Sequence, residues 1–270
     1  MIEVNQTVHS VDAQYFDSHC HLTPQLVGGV ESSLETARAN GIAGFVTVGC
    51  DRGTSVEAIA VAAIHHDVYA TVGVHPHEAT AGVDSITDLV ANAEMISAGK
   101  IVAIGECGLD YYYDHSPRDV QRRVFAEQIQ LAHQTHLPLV IHTRDAWEET
   151  FDILAAERAP STTIFHCFTG GPDEARRCLD LGAYLSFSGI VTFKTAAATQ
   201  RAAVLCPLER LLVETDSPYL SPVPLRGRPN QPANVKIVAD AVAALRCADV
   251  ATVAAATKSN ADVAFGLAIS

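Results

Sequence analysis

Eight short apolar runs alternate along this chain with stretches of helical periodicity, and that alternation limits the folds open to it more than any other feature. The runs fall at 14–20, 43–49, 68–74, 101–106, 138–142, 162–167, 183–188 and 210–215. Between them lie helical patterns at 30–40, 53–66, 85–99, 118–136, 145–158, 172–181 and 194–204, with a last helical region after Gln231. Asn40-Gly41, Ala98-Gly99 and Leu181-Gly182 read as helix C-caps just ahead of the next strand. Strands that alternate with helices pair in parallel, and eight such units in 270 residues predict an α/β fold, a TIM-type (β/α)8 barrel. No linker, charge block or low-complexity tract divides the chain, so residues 1–270 read as a single domain. The Pro-rich stretch Ser217–Pro232 follows the eighth run and reads as an active-site loop.

Composition narrows the function classes. The chain is 48% hydrophobic but only 6% aromatic, which suits parallel strands covered by Ala-rich helices. A formal net charge of -13 excludes a global field that draws nucleic acid or an anionic membrane, although a locally positive cleft stays open to it. Seven cysteines, odd in number and never spaced as C-x-x-C, give neither a disulfide framework nor a zinc ribbon. Met1–Asp12 lacks the basic start and apolar core of a signal peptide, and no run is long enough to span a membrane. The expectation is a soluble cytoplasmic protein with no evident obligate protein partner.

The chemistry sits at the ends of the apolar runs. His19 and His21 end the first, Glu106 the fourth, His142 the fifth, His166 the sixth and Asp216 the eighth. In a (β/α)8 barrel the C-terminal strand ends converge on one mouth, so these six side chains are expected to meet there. Four imidazoles and two carboxylates suffice for two divalent ions, Mg, Mn or Zn, and such a pair suits hydrolysis of a phosphate ester. Glu106, after Val102 and Ile104 on one face of its strand, is placed to bridge the ions. A bare carboxylate there is costly unless a cation compensates it. Glu214, two residues before Asp216, reads as a structural, hydrogen-bonded carboxylate. Cys20, Cys107 and Cys167 each follow a ligand and are expected to face outward as packing residues. His65, His66, His133 and His136 fall on helices away from the mouth, and His9 and His115 carry no signal.

At these positions the chain resembles the TatD family of metal-dependent deoxyribonucleases, within the amidohydrolase-like barrels. The matching segments are FDSHCHL at 16–22, GVHPH at 73–77, IGECGLDYYYD at 104–114, IHTRDA at 141–146, FHCFTGG at 165–171, LSFSGIVTFK at 185–194 and ETDSPYLSPVPLRGRPNQP at 214–232. They keep the family's order over nearly the whole chain. The resemblance implies a TIM barrel, two divalent ions and hydrolysis of DNA phosphodiesters, with His19, His21, Glu106, His142, His166 and Asp216 as the ligands. Cys107 stands where the family usually has an aliphatic residue. Pro229 and Gln231 replace a usual base and acid in the long loop, which bears on substrate contacts rather than on the ligand set. Lys100 is the Lys nearest Glu106 and sits at the start of its strand, so a carbamylated-Lys bridge is not expected.

The resemblance thus implies a metal-dependent DNase, expected to act as a 3′–5′ exonuclease on single-stranded ends. Glu106 and Asp216 are its expected catalytic carboxylates, Asp216 orienting or deprotonating the attacking water. Arg144, two residues beyond His142, and Arg226 and Arg228 in the long loop are candidates to grip phosphates, with His75 beside them and Lys194 a weaker one. Tyr111, Tyr112 and Tyr113 offer rings on which an unpaired base can stack. Two other classes fit the same sequence: a metal-dependent hydrolase of a lactone, cyclic amide or aminoacyl-tRNA ester, and a non-catalytic scaffold.

Overall fold

The strands of the computed structural model are β1 (Tyr15–Cys20), β2 (Ile42–Thr47), β3 (Val68–Val72), β4 (Ile101–Asp110), β5 (Leu139–Arg144), β6 (Thr163–Phe165), β7 (Tyr184–Phe187) and β8 (Leu211–Val213). Each pairs in parallel with the next in the order β1-β2-β3-β4-β5-β6-β7-β8. The last seam is closed just beyond β8, where Asp216 N donates to His19 O (2.9 Å) and His21 N to Ser217 O (2.8 Å). Buried Asp17 tightens it by accepting from Thr215 N (2.8 Å) and Thr215 Oγ1 (2.6 Å). The architecture is therefore the expected parallel barrel with flanking helices. The structure describes residues 14–91, 96 and 98–267; the Met1–Asp12 reading, His9 and positions 92–95 and 97 of the expected 85–99 helix lie outside them.

The helices that cover the strands are Gly29–Ala39, Arg52–Ile64, Arg118–Thr135, Trp147–Glu157, Pro172–Asp180, Ala197–Leu205, Val235–Leu245 and Val250–Ala264. Of the 85–99 expectation, the described residues include the short helix Thr87–Val90 and a helical Ile96. Local chemistry sets several boundaries. Asp51 accepts from Thr54 N (2.7 Å) while Thr54 Oγ1 accepts from Asp51 N (3.0 Å), a reciprocal cap that starts the helix after β2. Asn40 and Gly41 (φ 85°) end the first helix as expected.

All ten residues of β4 are buried, as a strand covered on both faces requires. Phe16, Val46, Val102, Val140, Ile164, Tyr184 and Leu212 pack with Ala261, Ala264 and Phe265, so the last helix closes the inner apolar layer of the barrel. Val102 belongs to this layer, but Ile104 packs in the larger core instead, contrary to the sequence expectation. A register shift in the pairing with β3 accounts for the difference: Ala70 and Thr71 pair with Ile101 and Ala103, so Val102 is an extra residue that breaks the simple alternation of faces ahead of Ile104. Among the described residues no helix is long and apolar enough to cross a membrane.

Candidate metal centre

All six expected ligands meet at one end of the barrel, and Glu106 lies at their centre. Its Oε1 is 2.7 Å from His166 Nε2, 3.0 Å from His142 Nδ1 and 3.4 Å from His75 Nε2. Its Oε2 looks the other way, 3.4 Å from His19 Nε2. Beyond His19, Asp216 Oδ1 lies 3.3 Å from His21 Nε2 and 3.8 Å from His19 Nε2. Donor atoms thus gather into groups of metal-binding dimensions, notably His19–His21–Asp216 on one side and His75–Glu106–His142 on the other. His19–His166–Glu214 and His21–Cys50–Glu106 overlap them.

Backbone anchors put each donor in place. Glu106 N donates to Gly49 O (3.0 Å), tying β4 to the end of β2. Two buried glutamines of the helix Arg118–Thr135 clamp neighbouring strand ends. Gln128 accepts from Val74 N (2.8 Å) and donates to Val74 O (2.9 Å), which fixes the backbone beside His75. Gln121 accepts from Asp110 N (2.9 Å) and donates to Asp110 O (3.2 Å). At Gly108 a side chain is excluded outright, since with φ 134° its Cβ would fall 2.0 Å from His142 O.

A second ring of carboxylates orients the imidazoles. Asp110 Oδ2 lies 3.1 Å from His142 Nε2 and 3.1 Å from His77 Nε2, so the His142 Nδ1 is left facing Glu106. Glu214 does the same for His166, its Oε1 lying 3.3 Å from Nδ1 and accepting from Cys167 N (2.8 Å). The hydrogen-bonded role expected for Glu214 is the one observed. Asp110 was not anticipated, because the apolar run ends at Glu106 whereas β4 continues four residues further.

Charge and burial compete throughout. Burial works against an ionised Glu106, yet His166, His75 and His142 hold its carboxyl well below the usual carboxylate range. Burial likewise opposes charge on Asp216 and Asp110, but hydrogen bonds from His21 and from His142 respectively keep both low. His166 is lifted well above the ordinary imidazole value by Glu106 and Glu214, against its burial. Burial wins at His19, whose pKa is lowered, and at His75, pushed down to about 4. His19 is wholly buried, yet neither ring nitrogen has a hydrogen-bond partner. A cation among His19, His21 and Asp216 satisfies that orphaned imidazole and the paired carboxylates together, so the donor set fits divalent ions.

The remaining candidates divide. His75 joins the centre. Arg144, the last residue of β5, stacks its guanidinium 3.9 Å from the Tyr112 ring centroid and 4.9 Å from that of Tyr113. Arg226 and Arg228 are exposed, Arg226 lying over Phe193 at 4.0 Å, and Lys194 is exposed as well. Tyr112 and Tyr113 present their rings to solvent, whereas Tyr111 turns its hydroxyl to Glu149 and so leaves the mouth. Tyr219 of the long loop is exposed 5.8 Å from the His21 ring, which places that loop beside the centre as expected. His115 carries more than its sequence suggested, since its ring packs 4.4 Å from His77. Lys100 donates to His65 O (2.7 Å) before β4 begins, and the carboxylate amid the imidazoles is Glu106.

The cysteine expectation holds for two of three. Cys20 and Cys107 are buried, with thiols against the carbonyls of Val46 and Val140. Cys167 departs from it: β6 stops at Phe165, so strand alternation no longer applies. Its Sγ lies 3.3 Å from Ser188 Oγ, and burial, then Asp216 and Glu214, push its pKa well up. Cys50, three residues beyond β2, was missed altogether. Its Sγ lies 3.8 Å from Glu106 Oε2, and burial, then Glu106 and Asp216, raise its thiol pKa.

A family model described as "TatD related DNase" matches residues 16–266. The chain belongs to the TatD family. A Bacillus subtilis relative, the "uncharacterized metal-dependent hydrolase YabD", is 42% identical over 248 residues, covering 91% of this chain and 96% of its own. The Mycobacterium tuberculosis hydrolase TatD is 40% identical over 262 residues, covering 93% and 97%. Among solved structures, the TatD homologue YjjV of Escherichia coli superposes with a TM-score of 0.88 at 29% identity, over 95% of this chain and 99% of that one. This TatD-family chain is a metal-dependent hydrolase, and the clustered donors are the centre such an enzyme needs.

Proposed function

We propose that this TatD-family hydrolase cleaves DNA phosphodiester bonds with two divalent ions, working 3′ to 5′ from single-stranded ends. His19, His21 and Asp216 would hold one ion, His142 and His166 the other, with Glu106 between them. The observation that carries this reading is the split of Glu106, whose two oxygens face different histidine sets. When bound, such ions supply an acidified water and stabilise charge on phosphoryl and leaving-group oxygens.

The chain's own residues supply the rest. Asp216, kept ionised by His21, is available to orient the attacking water and take its proton at a carboxylate oxygen. His75 stays neutral at physiological pH, so it can donate to a phosphate oxygen without adding charge. Arg144 meets Tyr112 through the face of its guanidinium, which leaves the N–H edge for a phosphate. Exposed Tyr112, Tyr113 and Tyr219 offer stacking surfaces for unpaired bases. With a net charge of -13 the protein has no basic footprint for a long duplex, which favours contacts at ends.

The test is cleavage of 3′- and 5′-end-labelled single-stranded DNA by wild type and Glu106→Ala, each chelated and then resupplied with Mg, Mn or Zn. We expect a metal-dependent ladder from the wild type, shortening from the 3′ end, and none above the chelated background from the variant. A folded, metal-loaded wild type that leaves DNA intact would overturn the reading and direct attention to ester and amide substrates.

A further inference from the structure

The two sides of Glu106 differ in the softness of their donors. Around Oε1 stand only imidazoles, those of His166, His142 and His75. Facing Oε2 are His19, with both ring nitrogens orphaned, and the thiol of Cys50. The Cys50 sulfur, a His21 ring nitrogen and a Glu106 oxygen all lie within 4.8 Å of one another.

Cys50 is held in place from several directions. Its N–H donates to Thr54 Oγ1 (2.8 Å) and its carbonyl accepts from His75 N (2.8 Å). The preceding Gly49 carbonyl accepts from Glu106 N (3.0 Å), so thiol and carboxylate share one scaffold. The thiol's one polar contact, with Glu106 Oε2 at 3.8 Å, is long and weak. Cys50 is half-buried, unlike Cys20 and Cys107, which are fully enclosed. A buried, partnerless imidazole and the thiol of a half-buried cysteine on the same carboxylate oxygen are what a thiophilic cation would join.

We propose that Cys50 is a further protein ligand, its Sγ joining His21 and Glu106 around the ion on the His19 side. That position would then select a thiophilic ion, zinc or cadmium, over magnesium or manganese, while the imidazole-lined position on the other side stays less discriminating. Upon coordination the thiol gives up its proton to solvent and the S–metal bond replaces S–H. The inference rests on the metal-centre reading of this site and not on DNA being its substrate.

X-ray absorption at the zinc edge tests it on the intact wild type. The expected spectrum has a sulfur shell at about 2.3 Å besides nitrogen and oxygen. A zinc-loaded protein with no sulfur shell overturns the proposal even if DNA cleavage proceeds normally. Protein that takes up no zinc at all overturns this inference together with the zinc reading of the centre. Cobalt loading assigns the sulfur. Sulfur-to-cobalt charge-transfer absorption should appear in wild type and in Cys167→Ser and vanish in Cys50→Ser. Absorption that survives Cys50→Ser, or disappears in Cys167→Ser, overturns the assignment. In competition titrations Cys50→Ser should lose about tenfold or more in zinc affinity at one site, with manganese affinity little changed; equal losses for both metals would overturn the selectivity.

Discussion

Single carboxylates decide how the imidazoles of this centre present themselves, and they were unequally legible. His19, His21, Glu106, His142, His166 and Asp216 stand out because each ends an apolar run, where a polar residue lacks a structural reason. Cys50 follows the same rule after Val46-Thr47-Val48-Gly49, yet a cysteine is also a common packing residue, so its position carries no contrast. Glu214 shows what the outer carboxylates do. It accepts from Cys167 N and sits against His166 Nδ1, so that Nε2 is aimed at Glu106. Glu214→Gln keeps the shape but removes the charge that makes His166 a strong donor. We expect the folded variant to bind its second ion about 10–100-fold more weakly, read by zinc competition with a chromophoric chelator. Unchanged affinity would show that the ring is oriented by packing alone.

Elements were legible where periodicity is strong and less so where one element borrows hydrogen bonds from another. The strands emerge from the sequence close to their observed bounds, but β4 runs to Asp110 because β5 pairs with it as far as Arg144. Its end and that of β3 are completed by Gln121 and Gln128, seven residues apart and so on one helix face, a pattern that a sequence reading takes for polar surface. Gln128→Leu preserves volume and leaves Val74 N–H and C=O buried without partners. It should cost about 2–4 kcal/mol in a urea titration, since two buried groups are affected. The opposite end of the barrel should be chemically independent. There Arg38 grips Asp67 through two contacts of 2.7 Å. Burial alone would raise the Asp67 carboxyl, but Arg38 holds it below its usual value. A depressed carboxylate contributes stability above its unfolded pKa and loses it as pH falls through the folded one. Asp67→Asn should therefore cost about 1 kcal/mol at neutral pH, Arg38 being a third exposed and screened. The gap between variant and wild type should close below about pH 4, with metal binding unaffected at pH 7.

For the whole molecule, the barrel was legible because eight alternating units allow few other closed solutions, whereas substrate contacts depend on where long side chains lie on the rim. Arg144 illustrates this, its direction being set by Tyr112 and Tyr113 from another strand's loop. The charge distribution nevertheless yields a quantitative expectation. At a net charge of -13, attraction to DNA must come from the bound ions and the few cations near the mouth. Arg144, Arg226 and Arg228 are the three arginines proposed to contact phosphates, neutral His75 adding no charge, and each releases about 0.7 counterion from a single strand. The logarithm of affinity for a non-hydrolysable oligonucleotide should then fall against the logarithm of salt with a slope near about −2. Fluorescence anisotropy at fixed divalent-ion concentration measures it. Each Arg→Gln change should flatten the slope by roughly 0.7 and weaken binding to every sequence alike. A slope of about −6 or steeper would mean many more phosphates neutralised than three arginines can reach, and would replace end recognition with a long footprint. A slope near zero would place the binding energy in base stacking on Tyr112, Tyr113 and Tyr219, where ring-deleting substitutions rather than arginine changes should then abolish it.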